Sequence, residues 1–201
     1  MSSDFQSIGA NPRGFWGRLA GRLMNSLHSR SYRKIIAQAL REIKTTAPLR
    51  ILDIGCGGGG AVRLFYTLAQ NAQTDGIDIS PDMVALAQRV NRKGIRRGQV
   101  DIAQGDVTAL PYPDHSFDIV TAFDTINFWT DFDKAISEVC RALKKDGVFV
   151  IVNGYPKEGT KWWDFVKFKN SDAYRDMLMA YGFQNMRCTI RRNTIIIEAN
   201  P

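Results

Sequence analysis

Histidine and cysteine are scarce in this chain, with two and three residues in 201. His28 and His115 stand far apart, and Cys56, Cys140 and Cys188 are scattered without metal-ligand spacing. That argues against a zinc site, and no metal is expected. An odd, dispersed set of cysteines reads as free thiols in a reducing compartment. Long apolar runs are missing too. Nothing approaches the roughly 18 residues that a membrane-spanning helix needs, and the N-terminus carries no apolar signal core. The expectation is a cytoplasmic protein without stable membrane insertion. Internal repeats and low-complexity segments are also absent. What remains, 44% apolar and 23% charged, is the composition of a soluble globular chain with one core.

The charge is unevenly placed. Of 27 Lys and Arg, nine lie in residues 1–50 against two acids, Asp4 and Glu42, so the net +7 is carried there. Residues 51–201 hold 18 of each sign. Apolar residues at 15, 16, 19, 20, 23, 24 and 27 form one stripe of an amphipathic helix, with Arg18 and Arg22 off it. A second helical pattern runs from about Tyr32 to Ile43, and Pro48 ends it. The expected division is a basic helical cap over 1–47 and a ligand-binding domain over 48–201. A basic arm can contact nucleic acid, anionic lipid or an acidic substrate, or can be a solvated helix face.

From residue 50 onward strands and helices alternate. Strands are expected at 50–54, 73–79, 99–104, 117–123 and 148–153, and two more at 184–190 and 194–199. Helices are expected from Gly60 to about Gln70, from Ser80 as N-cap to about Arg92 with Gly94 ending it, over 132–143, and from a cap at Ser171 or Asp172 to about Tyr181. Residues 154–170 read as an irregular, aromatic-rich connection. Such alternation means a parallel sheet covered by helices. The last two strands are joined too tightly for a crossover and must pair as an antiparallel hairpin.

The most informative stretch is "ILDIGCGGGG" at 51–60. A strand, then glycines, then a helix, makes a nucleotide-binding turn, in which a bare backbone lets N–H groups approach a ligand. Two registers fit: Gly55, Gly57 and Gly60 as G-x-G-x-x-G, or Asp53, Gly55, Gly57 and Gly59 as D-x-G-x-G-x-G. Asp53 decides for the second. A negative charge there would repel a pyrophosphate and favour a cationic ligand part such as a sulfonium or ammonium; a structural Asp capping its own loop is the alternative. Gly60 then starts the following helix. Asp78 ends the second strand, where a carboxylate can accept from ribose hydroxyls. Asp106 follows the third strand, within reach of an adenine amine.

As a set these segments resemble class I S-adenosylmethionine-dependent methyltransferases. "ILDIGCGGGG" resembles the family's first motif. "DGIDISPDMVALAQ" (75–88), "GDVTALPYPDHSFDIV" (105–120) and "ISEVCRALKKDGVFVIV" (136–152) resemble the segments around the second to fifth strands. "GRLMNSLH" (21–28) resembles the start of a group of small bacterial and archaeal methyltransferases. The resemblance implies a Rossmann-like, doubly wound α/β sheet of seven strands, order 3-2-1-4-5-7-6, with strand 7 antiparallel. It implies S-adenosyl-L-methionine as methyl donor and S-adenosyl-L-homocysteine as product. The donor-binding residues it implies are Asp53, Gly55, Cys56, Gly57, Gly59, Asp78, Ile79, Met83, Gly105, Asp106, Val107 and Phe123.

No catalytic residue is expected to stand out, because an activated sulfonium needs mainly proximity and orientation. Asp124, His28 and Tyr32 are the candidates for base or orienting work. The N-terminal helices, by resemblance, cover the donor. The connection 154–169, with Trp162, Trp163, Phe165 and Phe168 among lysines, either shapes the acceptor pocket or packs as an amphipathic helix. The family's N-P-P-Y or D-P-P-Y element for nucleobase amines is missing, as is a Pro-Cys nucleophile. A small-molecule acceptor is therefore expected. The alternatives are an RNA methyltransferase using the basic N-terminus, or a donor-binding protein without turnover. A nicotinamide oxidoreductase is disfavoured by Asp53 and by the lack of a Tyr-x-x-x-Lys pair.

Overall fold

The computed structural model describes residues 29–43 and 47–201. The amphipathic pattern at 14–27 and His28 lie outside the described residues. The chain divides into two compact units, up to Asp106 and from Val107 onward.

In the first unit, helix α1 (Ser29–Glu42) presents the apolar face expected near 32–43 and buries Ile36 and Ala39, packing against helix α2 (Gly60–Leu68). Strand β1 (Arg50–Ile54) is buried from Ile51 onward, as an interior parallel strand must be with helices on both faces. It pairs in parallel with β2 (Gln73–Asp78), which pairs in parallel with β3 (Val100–Gln104). Helix α3 (Pro81–Arg96) starts after Ser80 with Pro81 in its first turn. Ser80 holds the cap position, yet its side chain makes no cap hydrogen bond. The expected stop at Gly94 is corrected: the helix runs through it. A Cβ at Gly94 would come within 2.6 Å of Val100 and 3.2 Å of Tyr66, so glycine stands there because β3 and α2 pack close. Gly98, at φ 68°, follows the real end.

In the second unit, β4 (Phe117–Phe123) and β5 (Leu143–Gly154) are parallel. β5 begins five residues before the expected Val148, because Leu143 pairs with Phe117 and the ladder resumes at Ile119 and Val148. Residues 144–147, "KKDG", thus form a bulge within a strand, tied down by Lys144 to Asp118 at 2.9 Å. Helix α4 (Phe132–Ala142) is capped by Asp131, which accepts from the Lys134 amide. Its Arg141 reaches the carbonyls of Leu110 and Tyr112 and the Asp114 carboxylate, and so fastens the loop over 110–116, which holds Pro111 and Pro113. Helix α5 (Ser171–Ala180) is capped by Asn170, not by Ser171 or Asp172. Asn170 alone has the extended backbone and a side chain that accepts from the Ala173 amide. β6 (Gln184–Arg191) and β7 (Thr194–Asn200) form the expected antiparallel hairpin, and β7 runs antiparallel to β5. The seven strands stand in the order β3-β2-β1-β4-β5-β7-β6, as the motifs implied.

Candidate functional site

The glycine turn leaves β1 with three left-handed glycines, Gly55, Gly57 and Gly59, at φ 66°, 51° and 77°. The Gly55 and Cys56 amides both donate to the Ile77 carbonyl, at 2.8 and 3.0 Å, so the turn is held over the end of β2. Gly59 is the N-cap of α2, and Gly60 begins that helix. The two glycines that flank the bend do different work. A Cβ at Gly59 would lie 2.5 Å from Asn91 Nδ2 and 2.9 Å from Ala87, so the loop touches α3 there. A Cβ at Gly57 would meet nothing within 4 Å. The turn is therefore packed on one side and open on the other, and only the open side leaves room for a ligand against bare backbone.

Asp78 is the clasp of this turn. It is buried at the end of β2, and its two carboxylate oxygens accept from the Gly57 amide at 2.8 Å and the Ser80 amide at 2.9 Å. Burial pushes its pKa above the usual aspartate range, while the Ser80 and Gly57 amides pull the other way. Each oxygen keeps a second lone pair for an incoming hydroxyl. Asp53 is buried in β1, opposite Gly76 of β2. Cys56 turns its side chain into a cluster with Val62, Val84 and Ala87. Burial first, then the charges of Asp53 and Asp78, raise its thiol well above its ordinary pKa. Its thiolate chemistry is thereby suppressed, and what Cys56 can offer a ligand is backbone.

Ile79, next to the clasp, is a large apolar side chain left 46% exposed. Met83 is buried on the first turns of α3. Gly105 donates its amide to the Asp78 carbonyl, and Asp106 is exposed beside it. Asn91 went unnoticed in the sequence. Buried on α3, it donates to the carbonyls of Gly59 and Ala87, at 2.9 and 3.0 Å. Only its helical spacing from Met83, Val84 and Ala87 hinted that it faces inward.

In the second unit, Val107 and Phe123 are buried, and Phe123 closes β4. Asp124 follows in a left-handed conformation, φ 52°. Its amide donates to the Val152 carbonyl and its carboxylate accepts from the Gly154 amide, each at 2.7 Å. It is thus engaged in holding the end of β5. Tyr32 is half-buried on α1. The aromatic connection is an irregular run of turns with one 3-10 turn at Trp163–Phe165, rather than an amphipathic helix. Phe168 packs between Phe132 and Tyr174, whereas Trp162 is half exposed with Lys161 against its ring. Among the described residues no cluster of His, Cys, Asp and Glu could hold a metal ion, and no helix is long and apolar enough to cross a membrane.

A glycine turn between a strand and a helix, followed by an acid closing the next strand, defines a nucleoside-type ligand site in a doubly wound α/β protein. Residues 52–151 match the model of a family described as "Methyltransferase domain". The chain belongs to the class I S-adenosylmethionine-dependent methyltransferases. It is 35% identical over 132 residues to an uncharacterized methyltransferase of Bacillus subtilis, covering 65% of this chain and 51% of that one. It is 39% identical over 112 residues to a demethylmenaquinone methyltransferase of Thermus thermophilus, covering 55% and 49%. The chain thus spans about half the length of these curated relatives. The fold resembles the crystal structure of a putative S-adenosyl-L-methionine-dependent methyltransferase from Methanococcus maripaludis, with a TM-score of 0.74, 18% identity, and coverage of 94% and 95% of the two chains.

Proposed function

We propose that this chain binds S-adenosylmethionine on the open face of the glycine turn and transfers its methyl group to a small-molecule acceptor. The observation that carries the reading is the Asp78 clasp: a buried carboxylate holds the Gly57 amide where a Cβ would meet only open space. In this reading Asp78 accepts from the ribose hydroxyls, Ile79 and Met83 flank the adenine, and Asp106 takes its exocyclic amine. Asp53 and the bare backbone of the turn from Gly55 to Gly59 flank the methionine part, with Asp53 supplying the negative charge that suits its cationic centres.

The donor supplies an electrophilic methyl on sulfonium and leaves as the neutral thioether S-adenosylhomocysteine. The protein's own task is to align an acceptor lone pair with the C–S bond and to keep water out. Asp124, held by Gly154, orients rather than deprotonates. The family's pattern assigns Phe123 to the donor, and segments 122–129 and 154–169 to the acceptor. Trp162 would stack on a flat acceptor. The basic segment 1–47, with His28 and Tyr32, is assigned to covering the donor. A relative that methylates demethylmenaquinone supports a small acceptor.

Calorimetry tests the donor site. Micromolar binding, roughly −8 kcal/mol, is expected for S-adenosylmethionine and none for NADH; the reverse result would overturn the proposal. A labelled-methyl screen of cell metabolites beside total RNA tests the acceptor, with incorporation expected in the metabolite pool.

A further inference from the structure

Residues 51–201 are electrically neutral as a whole, but the structure gathers cations onto one helix. Between Asp82 and Asp101 the chain has no acid, and α3 with its C-cap carries Arg89, Arg92, Lys93, Arg96 and Arg97. All five are exposed. Arg97 donates to the Tyr66 hydroxyl at 2.9 Å, and the other four have no ion-pair partner among the described residues. Arg89, Lys93 and Arg97 recur every four residues and form one row, spaced about 6 Å along the helix axis. Arg92 and Arg96 form a neighbouring row. This second row lines a groove of about 310 Å³ between α3 and the edge strand β3, with Gln88, Ile95, Ile102 and one acid, Asp101.

We infer that the second half of α3 binds the phosphate backbone of a single nucleic-acid strand. The row spacing approximates the separation of successive phosphates along an extended strand. Four of the five cations are arginines, whose planar guanidinium takes phosphate oxygens in pairs. An anionic membrane is the poorer match. A helix that lies in a membrane inserts an apolar face, and the apolar face of α3 (Met83, Val84, Leu86, Ala87) is already spent on the protein core, leaving Ile95 as the one exposed large apolar side chain on the helix. The surface is also distinct from the donor cradle. Arg89 lies about 12 Å along the helix from Pro81, and Arg97 about 24 Å. The inference stands whether or not the acceptor is a small molecule.

The test is fluorescence anisotropy of a labelled, unstructured 20-nucleotide RNA with the full chain across a salt series. Each phosphate contact contributes about 0.7 to the slope of log affinity against log salt for a single strand. Arg92→Gln with Arg96→Gln should lower that slope by about 1.4 and weaken binding about tenfold at 0.15 M salt. Arg89→Gln with Lys93→Gln should repeat the decrement through different side chains. S-adenosylmethionine affinity and the thermal midpoint should stay unchanged in both variants. Equal slopes for wild type and both variants would overturn the inference and move the RNA contact elsewhere. So would absence of RNA binding at 50 mM salt, with or without sedimentation of the chain with phosphatidylglycerol vesicles.

Discussion

Two single-methyl substitutions, two residues apart, should fail in opposite ways. Gly59→Ala places a Cβ 2.5 Å from Asn91 Nδ2 and 2.9 Å from Ala87 Cα and Cβ, at a φ of 77°. Left-handed backbone costs alanine roughly 1–2 kcal/mol. Overpacking against a helix backbone adds about 1–3 kcal/mol, and displacing Asn91 from the Gly59 carbonyl about 1 more. A loss of roughly 3–6 kcal/mol is a large share of the 5–15 kcal/mol that holds a typical domain together. Gly57→Ala meets nothing within 4 Å, so only the backbone term of about 1–2 kcal/mol applies. Its methyl, however, enters the space assigned to the donor, and affinity should fall at least tenfold, about 1.4 kcal/mol. Denaturant unfolding and calorimetry with S-adenosylmethionine on the same preparations separate the two effects. Wild-type donor affinity in Gly57→Ala, or a greater loss of stability there than in Gly59→Ala, would refute the assignment of the open face.

Asp78→Ala strands the buried amide of Ser80 and the half-buried amide of Gly57, so it should abolish measurable donor binding and destabilise the fold by about 2 kcal/mol, both readable in a thermal-shift titration. Because burial holds the Asp78 carboxyl above its usual range, donor affinity should decline on acidification at a higher pH than an ordinary aspartate would dictate; an affinity flat down to pH 4 would contradict this. Asp75, buried in β2, is paired with Arg50 at 2.9 Å, and burial raises its pKa while Arg50 opposes the rise. Removing the partner in Arg50→Ala should cost about 2 kcal/mol at neutral pH. The sign follows from linkage: with a folded pKa above the unfolded 3.8, the folded state binds the extra proton, so the defect shrinks as pH falls through the folded value and grows above it. Urea titrations at pH 5 and pH 8 would show it. Asp124→Asn keeps an acceptor for the Gly154 amide and tolerates a positive φ, so turnover should stay within a few-fold of wild type, whereas Asp124→Ala should lose about tenfold; a dead Asn variant would make Asp124 a base.

Much of this architecture was legible in one dimension because its causes are local. Apolar runs of strand length, Pro81 after Ser80, Pro48 and the glycine turn bounded β1, β2 and β4 to within a residue. The misses fell where a distant residue decides. Gly94 looked like a helix end because glycine usually is one; inside α3 it answers to Val100 and Tyr66. Asn170 took the cap from Ser171 and Asp172 because the chain direction leaving the aromatic connection gave it the extended backbone. Leu143 joined β5 only because Phe117 pairs with it across a bulge.

The sequence by itself determined the order of elements, the register of the glycine turn and, through the acids at the ends of successive strands, the kind of ligand, since each is signalled by residue types within short segments of chain. Only the tertiary structure decided that Asp78 clasps Gly57, that Asn91 braces Gly59, that Cys56 faces the core and that Arg92 and Arg96 of α3 line a groove beside β3. These are distances of a few ångströms between residues up to about thirty positions apart, and no local periodicity encodes a through-space contact.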